Sequence, residues 1–111
     1  MKCRKCNFEI EPKDYTDLIR IEEHHNPPEF MLEIWKGELI DLCRDCHILK
    51  LHPLITEIIC KYSNKLKPTK SMEWAWKYVP SENKENCIKE IIEFTNRWLN
   101  ENGDTNSETT S

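Results

Sequence analysis

Cys3-Arg4-Lys5-Cys6 and Cys43-Arg44-Asp45-Cys46 are two C-x-x-C pairs, with 36 residues between Cys6 and Cys43. A tight knuckle presents both sulfurs of such a pair to one ion, and four thiolates complete the tetrahedral shell that Zn2+ prefers, at about 2.3 Å per sulfur. A shell closed by four protein ligands leaves no position for substrate. Zinc on Cys3, Cys6, Cys43 and Cys46 is therefore expected to be structural, its binding free energy serving as folding free energy. A redox dithiol is the competing chemistry, but it needs only one C-x-x-C and gives the second no role. Cys60 and Cys87 have no such partner, and Cys60 adjoins Ile58 and Ile59, so both read as small core residues.

The histidines carry the second chemistry. Glu22-Glu23-His24-His25-Asn26-Pro27-Pro28 lies between the cysteine pairs, and His47 directly follows Cys46 in Leu42-Cys43-Arg44-Asp45-Cys46-His47. An isolated His-His at a strand end is most simply an exposed polar pair or a set of extra zinc ligands. Bracketed by two knuckles and followed by prolines, this one resembles the HNH endonuclease family. That family's compact pattern runs C-x-x-C, a strand ending in His-His or Asp-His with a proline soon after, a loop, a second strand, and Leu-Cys-x-x-Cys-His opening a helix. The resemblance covers about residues 3 to 52.

It implies metal-dependent hydrolysis of DNA phosphodiester bonds, with DNA as partner. His25 would be the general base, and His24 and His47 would be ligands of a catalytic divalent cation (Mg2+, Mn2+, Ni2+ or Zn2+). It extends the ligand set to His52, although five rather than four residues separate His52 from His47 and Pro53 follows at once. Otherwise His52 reads as a helix-end histidine near the C-terminal dipole. The chemistry itself is sound: hydrolysis needs a water deprotonated near neutral pH, which a neutral imidazole can do, and a cation to stabilise phosphate charge. One departure stands out. The family places asparagine just before the leucine of the second strand, bracing the loop that carries the base; here that position is Glu38. A carboxylate has no amide to donate, so Glu38 is either an altered brace or an added carboxylate beside the metal.

The elements that must position these groups follow from pattern. Asp17 to Glu23 reads as a strand entering His24-His25, and Glu38 to Leu42 as the returning strand; neighbours on a strand point to opposite faces, which would give His24 and His25 different jobs. Pro27 and Pro28 make Asn26 to Gly37 a loop. Arg44 to Leu51 reads as a helix with a boundary or kink near His52, and the apolar stripe Leu54, Ile55, Ile58, Ile59, Tyr62 predicts a second helix from Pro53 to about Ser63, with Pro68 closing that region. Met72 to Val79 fits either periodicity and is read as a helix, its Trp74, Trp76 and Tyr78 as core rather than base-stacking residues. Ile88, Ile91, Ile92, Thr95, Trp98 and Leu99 predict a last helix, capped by Ser81 or Asn83 and stopped at Asn102-Gly103.

The fold class expected is α+β: a zinc-braced ββα-metal module at 1–53, a helical extension at 54–100 packed on the same domain, and a disordered acidic tail at 101–111. At 111 residues, 38% hydrophobic and 32% charged, the chain holds one thin core that gains from a metal brace. Without a signal-peptide-like run or an apolar span, it is expected to be cytoplasmic, with no membrane role. Of the net charge of -4, Glu101, Asp104 and Glu108 account for three units, so the rest is nearly neutral. Candidate phosphate contacts are Arg4, Lys5, Arg44 and Lys50, with Lys2 and the lysines Lys61, Lys65, Lys67, Lys70 and Lys77, among which Glu73 is the single acid. The helix at Arg44 is expected to approach the minor groove, as the resemblance implies, and a homodimer is open because one centre must visit two strands to cut both. A non-catalytic zinc module that binds nucleic acid or a protein is the alternative, with Glu38 in its favour.

Overall fold

A computed structural model describes residues 1–63 and 71–101. They form a small mixed α+β structure: a two-stranded antiparallel sheet, β1 (Ile21–Asn26) with β2 (Glu38–Cys43), followed by α1 (His52–Ser63), α2 (Met72–Trp76) and α3 (Ser81–Asn100). Two 3-10 turns, Pro12–Asp14 and Glu29–Met31, sit in the connections. Pro68, Lys65, Lys67, Lys70, the Asn102-Gly103 stop and the tail beyond Glu101 lie outside the described residues.

β1 starts four residues later than the pattern suggests and carries both histidines inside it. The cause is local: the Thr16 hydroxyl accepts from the amides of Leu18 (3.2 Å) and Ile19 (2.9 Å), so Asp17 to Ile19 close a turn rather than extend. The register pairs Glu22 with Leu42, His24 with Ile40, His25 with Leu39 and Asn26 with Glu38. Paired residues share a face, so Glu22, His24 and Asn26 join Ile40 and Leu42 on the inner face, and His25 takes the other with Leu39. The Cys3–Cys6 knuckle closes through Asn7, whose φ of 67° an asparagine tolerates, and locks onto the sheet through the Arg4 amide, which donates to the Asp41 carbonyl at 2.8 Å.

The expected boundary falls at His52, but as a change of winding within one continuous helix. The chain winds as a π-helix over Asp45–Leu51 and passes without interruption into α1, with the His52 amide donating to the His47 carbonyl five residues back. Pro53 explains the location: in ordinary α winding its ring would press on the Leu49 carbonyl, and it has no amide hydrogen to offer. The wide turn is the accommodation. His52 therefore opens α1 instead of ending a helix, which corrects the helix-end expectation.

Ile40 and Leu42 pack with Leu51, Ile55 and Ile59 of the helix and Ile91 of α3, all fully buried in one cluster that also takes in Cys60 and Cys87. α3 begins at Ser81 with no side-chain cap, because Pro80 is the residue that turns into the helix and its carbonyl accepts from Asn83 at 2.9 Å; neither predicted cap serves. In α2 the Ser71 hydroxyl caps Trp74, Trp76 is buried, and Trp74 lies against Tyr78 at 4.8 Å with both half-exposed, so only one of these three aromatics is core. Among the described residues no helix is long and apolar enough to cross a membrane.

Candidate metal centres

The knuckle and the start of the π turn bring Cys3, Cys6, Cys43 and Cys46 together, every sulfur within 4.8 Å of the others and Cys6 Sγ 3.7 Å from Cys43 Sγ. This cluster could hold a metal such as zinc. Burial acts to raise the Cys3 thiol, but the backbone amides of Cys6, Cys43 and Lys5 outweigh it and bring it to about 7. Burial, and then the neighbouring sulfurs, push Cys46 up, and burial also raises Cys43. Cys43 and Cys46 in such crowding favour the thiolate only with a cation among the sulfurs.

His24, His47 and His52 form a second cluster with ligand nitrogens within 4.8 Å of one another. Their ring centroids lie 5.2 Å (His24 to His47), 5.9 Å (His24 to His52) and 4.3 Å (His47 to His52) apart. Five residues along an α-helix rotate a side chain by about 140°. The π turn removes most of that rotation and sets His52 over His47. Burial first, then the other histidines, hold His24 down at about 3, and burial and His47 hold His52 at about 4, so both stay neutral at physiological pH. His24 is 2% exposed, and its buried Nε2 has no hydrogen-bond partner. An unsatisfied buried nitrogen with two other imidazoles within ligand distance fits a divalent cation, particularly of the transition series.

Glu22 carries no motif signal, yet it completes this cluster. Its Oε1 accepts from His47 Nδ1 at 2.8 Å, Arg20 Nε donates to its Oε2 at 2.8 Å, and Arg44 Nη1 lies 3.6 Å away. Burial acts to raise the Glu22 carboxyl, but the hydrogen bonds from His47 and Arg20 outweigh it and hold it below its ordinary value. The carboxylate fixes the His47 tautomer with Nε2 as the free donor atom, the arrangement that orients imidazole ligands in metal sites. Period-two spacing from His24 was the one clue to it.

His25 shares a cavity of about 200 Å³ with the three histidines, closed by Glu23, Pro28, Glu29, Phe30 and Met72. Its Nε2 lies 3.8 Å from Glu29 Oε1, and its ring meets Trp35 almost perpendicularly, centroids 4.9 Å apart. Glu38 does not line this cavity. It shares the inner face at the end of β2, but its exposed carboxylate pairs with Arg4 Nη1 at 3.3 Å, which corrects its expected place beside the metal.

The expected phosphate contacts divide. Arg4, half-exposed, pairs with Glu38, and Lys5 donates to the Trp98 and Glu101 carbonyls and lies over the Trp98 ring. Arg44 and Lys50 line a separate cleft of about 350 Å³ beside the cysteines, together with Phe8, Leu18, Ile19 and Arg20. Of the lysines near α1, Lys61 pairs with Glu90 at 2.6 Å.

Comparison with known proteins adds no assignment: no family model matches the chain, and neither a curated protein nor a solved structure matches it.

Proposed function

We propose that this protein is a metal-dependent endonuclease of the HNH type, built on a zinc-braced ββα-metal module, that hydrolyses DNA phosphodiester bonds. The observation that carries the reading is the single cavity that His25 lines together with the clustered histidines His24, His47 and His52. A divalent cation held by His24, His47 and His52 would supply charge stabilisation for the phosphate and the departing oxygen. His25, half-exposed at the cavity wall, takes the proton from the attacking water. Glu22 keeps His47 in the tautomer that directs Nε2 inward. The four cysteines, with zinc bound, clamp the N-terminal knuckle to the start of the helix and so fix His47 against β1.

The test is cleavage of supercoiled plasmid by purified protein with Mg2+, Mn2+ or Ni2+, beside a His25→Ala control. Nicked or linear product that drops by at least about a hundredfold in the control is expected, in line with loss of a general base. Equal cleavage by the control would refute the base assignment. Absence of cleavage with every ion, together with retained DNA or protein binding, would favour the non-catalytic zinc module.

A further inference from the structure

We propose that Trp35 is the positioning residue for His25. The inference rests on His25 being the base of the nuclease reading above. A general base loses its effect when its ring can swing, since small displacements of a reacting group cost large factors in rate. His25 lies on the half-exposed outer face of β1, one residue before the strand ends at Asn26, and so lacks the burial that fixes His24. Something else must hold it.

The side chains around it leave few choices. Glu38, opposite Asn26, directs its carboxylate at Arg4. Glu29 approaches His25 only to 3.8 Å and is itself 72% exposed, which is too loose for a fixed contact. Trp35 makes two contacts on this segment at once. Its Nε1 donates to the Pro27 carbonyl at 2.8 Å, and its ring lies against the His25 imidazole at 4.9 Å and 76°. Pro27 is fully buried, so the hydrogen bond ties the indole to an immobile anchor two residues after the base. Gly37 lets the strands close over this arrangement: a Cβ there would collide with the Asn26 carbonyl and come within 3.0 Å of both Pro27 Cδ and Trp35 Cζ2. The indole is thus wedged between the β2 entry and the end of the strand that carries His25.

Trp35→Phe keeps an aromatic ring and removes the N–H donor; Trp35→Leu removes both contacts. In single-turnover plasmid cleavage, the rate should fall about tenfold in Trp35→Phe and about a hundredfold in Trp35→Leu, with half-saturating DNA concentration and Co2+ affinity at the histidine cluster unchanged. In a His25→Ala background neither substitution should cost anything further, because the effect acts through the base. Wild-type rates in both variants, or the same loss with and without His25, would overturn the proposal. The second outcome would mark Trp35 as merely structural. The His25 ring signals in a 1H-13C spectrum decide the point even if wild-type protein cleaves nothing, an outcome that counts against the nuclease reading alone. A single sharp, ring-current-shifted signal that broadens or splits in Trp35→Phe is expected, and an unchanged signal overturns the brace.

Discussion

Acid should destabilise the zinc-loaded protein through His24 before the ordinary carboxylates begin to titrate. Folded His24 takes up a proton only near pH 3, whereas an unfolded histidine does so near 6.5. The unfolded state therefore binds the extra proton over the whole interval between. The contribution of neutral His24 is complete above 6.5 and is lost progressively as the pH falls toward 3. Between about pH 7.5 and about pH 5 this one buried ring should cost about 2 kcal/mol, each pH unit below the unfolded value being worth about 1.4 kcal/mol. His52, held at about 4 and less buried, adds a smaller loss of the same sign. Urea unfolding at the two pH values, in wild type and in His24→Gln, isolates the term, because any acid weakening of the cysteine clamp is common to both proteins. The urea midpoint of wild type should drop by roughly 1 M more than that of the variant. Equal drops would refute the claim that His24 is held neutral in the fold, and with it the electrostatic argument for a cation site there.

Two further outcomes follow from the same geometry. Stripping zinc from the four-cysteine cluster with a strong chelator should abolish the helical circular dichroism signal. The binding free energy of a structural zinc, about 10–16 kcal/mol, is as large as the whole stability of a domain this size, so helicity retained after complete removal would show that the cluster is not a structural brace. Arg44→Ala with Lys50→Ala should weaken duplex binding at low salt and reduce the salt slope by up to about 2, since each phosphate contact contributes about 0.9 to that slope. Unchanged affinity would remove the helix at Arg44 from the DNA interface.

The local code was legible wherever a residue type acts through its own backbone or an immediate neighbour. Paired cysteines at C-x-x-C spacing announced their cluster. β2 followed from a short segment returning after the proline loop and the helix ending at Ser63 from a helical stripe, and opposite faces for His24 and His25 followed from strand geometry. β1 was displaced because the Thr16 hydroxyl competes for backbone amides, an effect of one side chain that averages out of any periodicity. What lay beyond the sequence depends on groups distant along the chain. Glu38 occupies a suggestive position but is drawn off by Arg4, 34 residues away. Trp35 gains its role only because Gly37 allows the strand entry to close on Pro27. His52 is the sharpest case. Its five-residue offset from His47 argues against a shared face under α-helical rotation, and the added π turn ahead of Pro53 reverses that argument. Residue types and spacing thus specified which atoms could bind metal. Helix winding, strand closure and long-range ion pairing decided which of them meet, because these depend on the packed surroundings of each segment.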